Sequence, residues 1–243
     1  ESMYKNKKIL ALIQARGDSK RVPRKNIIDV AGKPLIAHTI ESALACSLVD
    51  AVVVTTDCEE IADIAGKHGA MTPFIRPGEL ATDTTSDHPV IVHALEQLKK
   101  VGDEYDYVLW LRPTAPLRSA EDIETTIKKL VDDDMPLVRS VTEAHGTSHP
   151  YWMYADTEGE GVMSPLIEGK SFRNHYQSQL LPKGYFELNG VIDAFSTEHL
   201  ASAEFVWEAP RMGYTIIPLE RAVDVDEEID VIVVQELLRR RNM

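Results

Sequence analysis

This chain is poor in cysteine, poor in cations and free of long apolar runs, and each shortage removes a class of protein. Two cysteines in 243 residues, Cys46 and Cys58, give neither a disulfide framework nor the paired spacing of a metal site. They suit a reducing cytoplasm, which is the expected location. No apolar stretch approaches the roughly 20 residues that span a bilayer, and no signal peptide is visible. Glu1-Ser2 ahead of Met3 reads as a cloning remnant. Lys and Arg number 26 against 39 Asp and Glu, a formal net charge of -13. That balance argues against nucleic acid as a general partner. Internal repeats and low-complexity tracts are also missing. What remains, 44% hydrophobic and 27% charged, is ordinary for a soluble globular protein.

Against that acidic background, residues 14–26 (QARGDSKRVPRKN) hold five cations: Arg16, Lys20, Arg21, Arg24 and Lys25. They follow the apolar run 9–13, which reads as a buried strand. A basic, glycine-containing loop leaving such a strand is suited to phosphate, with Gly17 letting the backbone approach and Ser19 offering a hydroxyl. The alternative is a solvated basic loop.

The first 142 residues alternate strand and helix patterns. Strands are expected over 9–13, 51–55, 107–111 and 137–142. A helix over 34–48 should bury Leu35, Ile36, Ile40, Ala43 and Leu44. A second should be capped by Asp57 with Glu60 and closed by Gly69. A third spans 87–101, and Ser119 with Asp122 opens a fourth. This rhythm predicts an α/β fold, a mostly parallel sheet with helices on both faces. Ligands should then sit at the carboxyl ends of the strands. Residues 143–188 break the pattern with glycines, prolines, aromatics and three histidines, and read as an excursion forming an arm against another subunit. Regularity returns at 189–192, in a strand over 212–217 and in a final helix over 227–240. The expected division is a core of 3–142 and 189–243, with 143–188 as the excursion.

Two further segments carry chemistry. Asp224-Val225-Asp226 places two carboxylates just before the last helix, where a hard divalent ion between them would relieve their repulsion. With a phosphate loop, that pair suggests phosphoryl or nucleotidyl transfer. Acids favoured at a helix N-terminus are the plainer explanation. Arg112-Pro113-Thr114-Ala115-Pro116-Leu117-Arg118 is a stiff, doubly cationic loop ending a strand. Residues 76–86 combine a cation, hydroxyls and an acid ahead of a helix. His38 and His93 fall in helices and read as structural, and Trp110 and Trp152 read as core or interface.

Taken together and in order, Arg16-x-x-Ser19-Lys20, Lys25-Asn26, Gly32-Lys33-Pro34-Leu35, Thr55-Thr56-Asp57, the 76–86 run, Pro113-Thr114-x-Pro116-Leu117-Arg118, Asn189-Gly190 and Asp224-x-Asp226 closely resemble the acylneuraminate cytidylyltransferase (CMP-sialic acid synthetase) family. The resemblance implies a Rossmann-like homodimer, with 3–142 and 189–243 as the nucleotide-binding catalytic core and 143–188 as an exchanged arm that completes the sugar site. It also implies that CMP passes from CTP to the anomeric hydroxyl of a sialic-acid-like 2-keto sugar acid, releasing pyrophosphate, with Mg²⁺ as cofactor. Mapped by resemblance, Arg16, Lys20, Lys25 and Asn26 are catalytic. Ala15, Arg16, Ser19, Asn26, Arg76, Asp83 and Ser86 bind the nucleotide. Arg112, Thr114, Tyr185 and Asn189 bind the sugar, and Asp224 and Asp226 carry the metal. Three positions depart from the usual pattern. Arg112 stands where a glutamine is common. The stretch Gln177-Ser178-Gln179 lacks an arginine that would hold the sugar carboxylate, a role open to Arg173 or Lys183. Asp193 follows Val191-Ile192 where the family runs to Ile-Tyr. The alternatives are the same chemistry on a legionaminate-type, deaminated neuraminate or octulosonate sugar, or with GTP, and a non-catalytic nucleotide-binding subunit.

Overall fold

In a computed structural model, residues 3–241 are described, and Glu1-Ser2 lie outside them. The central sheet is built from β1 (Ile9–Gln14), β2 (Ala51–Thr55), β3 (Tyr107–Leu111), β4 (Leu137–Glu143), β5 (Phe186–Ser196) and β6 (Met212–Ile216). Their spatial order is β6-β4-β5-β3-β1-β2. β1 pairs in parallel with β2 and β3, and β6 in parallel with β4, while β5 runs antiparallel to both β3 and β4. The carboxyl ends of the parallel strands therefore meet on one edge, and the reversed β5 brings its beginning to that same edge.

β1 is buried on both faces, which is why it reads as an unbroken apolar run rather than an alternation. Ile9, Ala11 and Ile13 pack under α1 (Leu35–Leu44), α2 (Glu59–Lys67) and α4 (Ala120–Asp132) through Ile36, Ile61 and Ile127. Leu10 and Leu12 face α3 (Asp87–Lys100) and α5 (Thr197–Ser202), with Ile91, Leu98 and Leu200. Burying each of these leucine and isoleucine side chains contributes about 1.5–3 kcal/mol. Helices thus cover both faces as expected. A third, smaller cluster joins Val225, ahead of α6 (Glu228–Arg241), and Val234 within it to Val30, Leu35 and Leu117.

The capping box of α4 forms as the sequence suggests. Ser119 Oγ accepts from Asp122 N at 3.1 Å, and Asp122 Oδ2 accepts from Ser119 N at 3.0 Å. Two expectations fail. α1 stops at Leu44, which is 49% exposed rather than on the buried face. The turn from Ala45 to Asp50 is needed to bring the chain back to β2. α2 is headed by Cys58 rather than Asp57, because the Asp57 carboxylate is engaged by the basic loop. Sequence reasoning also missed α5, whose six residues are too short to show a helical period.

The excursion between β4 and β5 has single helical turns and one short ribbon, Tyr154–Ala155 paired with Ser164–Pro165. Its inner end is an aromatic knot in which the rings of His149, Tyr151 and Tyr185 meet edge-on or tilted, with centroids within 5.4 Å of one another. Its outer part leaves Val162, Met163, Leu166, Phe172 and Tyr176 exposed.

Candidate active site

A cleft of about 570 Å³ opens at the carboxyl edge of the sheet, between the loop after β1 and the loop after β3. The basic loop forms one wall with Arg16, Ser19, Lys20, Arg21, Lys25 and Asn26. Asn26 is buried, and its amide donates to the Arg16 carbonyl at 3.0 Å, closing the loop on itself. Gly17 makes a close contact within the protein. Its N–H donates to Asp57 Oδ1 at 2.9 Å, and a Cβ there would stand 3.0 Å from Cys58 Cβ. The glycine lets the loop lie against the α2 entrance.

The cations of this wall are held by few, exposed acids. Asp83 takes both Arg16 Nη1, at 2.5 Å, and the Lys20 ammonium. Lys20 and then Arg16 hold the Asp83 carboxyl below its ordinary range, and Lys20 is raised in turn. Arg21 has no ion-pair partner among the described residues. Lys25 reaches across the cleft to Asp226 Oδ1 at 3.1 Å.

Asp224 and Asp226 owe their placement to the residue between them. Val225 is fully buried in the small core, and its N–H donates to the Thr114 carbonyl at 2.7 Å. Strand-like alternation then turns both carboxylates outward. Asp224 is open to solvent yet ringed by protein. That crowding pushes its pKa up, and the charge of Asp226 adds to the effect, while a Thr114 hydrogen bond opposes it. Among the described residues no set of three or more acidic, histidine or cysteine side chains could hold a metal unaided.

The opposite wall is Arg112, Pro113 and Thr114. Its architecture depends on a bulge in β5, whose pairing with β4 shifts between Arg139 and Val141. Asn189 pins that bulge. Its Oδ1 accepts from Ser140 Oγ at 2.5 Å and from Val191 N at 3.1 Å, and its Nδ2 donates to Thr142 Oγ1 at 3.0 Å. The carbonyls freed by the bulge face two arginines: Gly190 accepts from Arg112, and Val191 accepts from Arg118 at 2.9 and 2.7 Å. Arg118 also donates to Thr39 Oγ1 and to the Arg112 carbonyl, and burial, followed by the charge of Arg112, takes its pKa down to about 9.

Of the residues singled out from sequence, Arg16, Ser19, Lys20, Lys25, Asn26, Asp83, Arg112, Thr114 and Asp226 line one cleft. Ala15 is buried just behind it, donating its N–H to Thr55. Arg76 also lies behind, buried, with Nη2 4.0 Å from Asp57 and with Nε and Nη1 unpartnered; burial lowers its pKa. Ser86 is exposed ahead of α3 and makes no capping bond. The structure does not bring Tyr185 or Asn189 to the cleft wall. Tyr185 belongs to the aromatic knot and Asn189 to the bulge, since both side chains are occupied by neighbours. Exposed Arg173 and Lys183 lie in the excursion, and neither lines the cleft. Sequence reasoning missed Asp87 and Arg139, which brace Arg112 and Asp193. Arg112 and Asp193 had each drawn notice as separate departures, and they prove to be one ion pair at 2.8 Å.

A parallel-type sheet with a cationic loop and an opposed acid pair at its carboxyl edge defines a nucleotide-handling α/β protein. Comparison with known proteins narrows the class. The sequence profile of the cytidylyltransferase family matches residues 10–154, more than half the chain. A pseudaminic acid cytidylyltransferase of Campylobacter jejuni is 32% identical over 90% of this chain and 91% of its own. A CMP-N,N'-diacetyllegionaminic acid synthase of Legionella pneumophila is 32% identical over 95% and 96%. In fold, the chain is similar to a CMP:2-keto-3-deoxy-manno-octonic acid synthetase solved with CTP, with a TM-score of 0.72 at 20% identity, covering 96% of this chain and 99% of the other. The chain belongs to the cytidylyltransferase family and is a nucleotidyltransferase. No helix among the described residues is long and apolar enough to cross a membrane.

Proposed function

We propose that this enzyme joins the CMP of CTP to the anomeric oxygen of a nine-carbon 2-keto sugar acid, with Mg²⁺ as cofactor. The anomeric oxygen forms a bond to the α-phosphorus, the bond to the bridging β-phosphate oxygen breaks, and pyrophosphate leaves. The hydroxyl proton passes to solvent. The observation that carries this reading is the Lys25–Asp226 contact of 3.1 Å, which sets a phosphate-type cation directly against a metal-type acid across one cleft. Arg16, Lys20 and Lys25 would meet charge on the phosphate oxygens, which grows during transfer. Arriving phosphates would take over these cations from Asp83 and Asp226. Buried Arg76, with two unpartnered nitrogens, supports a place behind the nucleotide.

The donor set fits Mg²⁺. Two hard carboxylates and no third protein ligand match an ion that keeps waters and binds substrate phosphates. Asp224 and Asp226 would hold it, and when bound it would neutralise phosphate charge. The raised pKa of Asp224 reflects a site that disfavours its own negative charge until a cation arrives.

Pseudaminate-type and legionaminate-type acids are the leading acceptors, because the relatives named for each are equally similar to this chain. Exposed Val162, Met163, Leu166 and Phe172 support the excursion as a homodimer arm, and two free cysteines suit the cytoplasm. Removal of residues 150–180 should give monomers by sedimentation; an unchanged dimer would rule out that role. The main test is pyrophosphate release with Mg²⁺, crossing CTP and GTP against pseudaminate, legionaminate, neuraminate, deaminated neuraminate and octulosonate. Release with CTP and one nonulosonate establishes the reading. Silence across the panel from folded, CTP-binding protein would overturn it.

A further inference from the structure

Three consecutive acceptors, at and just past the carboxyl end of β2, hold two other segments of chain. The Thr55 carbonyl accepts from Ala15 N at 3.0 Å, where β1 runs into the basic loop. The Thr56 carbonyl accepts from Arg76 N at 2.8 Å, at the end of a segment that Met71 joins to the other edge of β2. The Asp57 carboxylate reaches both segments. Its Oδ1 accepts from Gly17 N at 2.9 Å and stands 4.0 Å from Arg76 Nη2. The turn that carries it is fixed by the Thr56 hydroxyl, which accepts from Cys58 N at 3.2 Å.

Arg76 is the less settled member of this junction. Its side chain is 1% exposed, yet Nε and Nη1 have no acceptor among the described residues. Asp57 is its one ion-pair partner there, and at 4.0 Å the contact is between charges rather than a hydrogen bond. Burial lowers the Arg76 pKa. Asp57 opposes that most strongly, Arg16 adds to it, and Asp87 opposes it more weakly. Asp87 is already bonded to Arg112 and Gln14, whereas Asp57 pairs with no other cation among the described residues. A buried charge without hydrogen bonds is costly, and a ligand that offers acceptors would relieve the cost. Arg16, Lys20, Arg21 and Lys25 line the cleft and are open to a triphosphate, while Arg76 lies behind them.

We infer that Asp57 is a positioning residue for the nucleotide. One carboxylate oxygen ties the basic loop, through Gly17, to buried Arg76, and holds that guanidinium with Nε and Nη1 free for acceptors on the nucleoside. This rests on the reading above that the cleft takes CTP. Because Oδ1 serves both contacts, the phosphate and nucleoside ends of the ligand are held at a fixed separation. An amide in its place keeps an oxygen for Gly17 and removes only the charge felt by Arg76.

The test is calorimetric binding of CTP with Mg²⁺ to the full-length enzyme, through single and double variants, with thermal melts to report folding. Asp57→Asn should weaken CTP about 10- to 100-fold, the size of one hydrogen bond to a charged group. Arg76→Met should weaken it at least as much. Adding Asp57→Asn to Arg76→Met should cost less than about twofold more, because both remove one contact. Asp57→Ala also frees Gly17, so it should bind more weakly than Asp57→Asn, and that extra loss should persist beside Arg76→Met. Asp57→Glu keeps the charge one methylene further out and should fall between wild type and Asp57→Asn. If Asp57→Asn fails to fold, Asp57→Glu takes its place, with the same absence of further loss beside Arg76→Met. Additive losses, or wild-type affinity in a folded Asp57→Asn or Asp57→Glu, overturn the inference alone. Wild-type enzyme that does not bind CTP overturns the reading of the cleft, and this inference with it.

Discussion

The two loops that face each other across the cleft both carry arginines, but they hold them in opposite ways. After β1, Arg16 and Lys20 share one exposed carboxylate, Asp83, and Lys25 borrows Asp226 from the far side. After β3, Arg118 is buried on four hydrogen bonds, and Arg112 is fixed by two acids and a carbonyl. Exposed ion pairs are worth little and exchange readily for a better partner. Buried, fully satisfied networks define geometry and are costly to open. One loop therefore keeps its cations available for a ligand, and the other uses most of its donors to build a rigid frame. A cation counted from sequence says nothing about which of these it does.

Substitutions on each side should separate the two behaviours. The largest effect is expected at the acid that faces the basic loop. Asp226→Ala should lower turnover at least about 10³-fold, through lost metal and phosphate positioning, with circular dichroism unchanged. Near-normal turnover with Mg²⁺ would break the contrast between the walls. Arg16→Ala should lower kcat about 10²- to 10³-fold with little change in the urea midpoint, because the side chain is half-exposed and only its charge is used. Loss of stability in its place would make it a frame residue.

Arg118→Met should behave in the reverse sense. It strands the Val191 and Arg112 carbonyls in a buried site, so urea unfolding should show a loss of about 2–4 kcal/mol, with the bulge of β5 loosened. A stability change below about 0.5 kcal/mol would mean that the bulge holds itself through Asn189. The smallest effect is expected in pH dependence. The Thr114 hydrogen bond favours ionised Asp224, against the crowding that raises its pKa. Thr114→Val removes that opposing influence, so the pKa should rise further and the acid limb of kcat should move to higher pH, since only the ionised carboxylate can hold a cation. A limb displaced to lower pH would show that another group controls it.

The strands at 51–55 and 107–111, the α4 capping box and the cleft-lining cations were legible because each is written in a short window: an apolar run, a Ser-x-x-Asp spacing, a cluster of like charges. Asp57 was misjudged as a cap because its true partner, the Gly17 N–H, lies forty residues earlier. Asn189 and Tyr185 looked like sugar contacts, but their side chains are committed to a bulge and an aromatic knot that have no local signature. Arg112 and Asp193 are 81 residues apart, and nothing near either one announces the other.

By itself, then, the sequence determined the alternation of strands and helices, the basic loop after β1 and the acid pair, since periodicity, local charge and backbone chemistry act over a few residues. Tertiary structure alone decided that β5 runs antiparallel, that its bulge turns two carbonyls toward two arginines, and that Asp87, Asp193 and Arg139, distant in sequence, gather around Arg112. Strand direction and ion pairing depend on which surfaces meet once the chain has folded. Those meetings carry no fixed spacing along the chain.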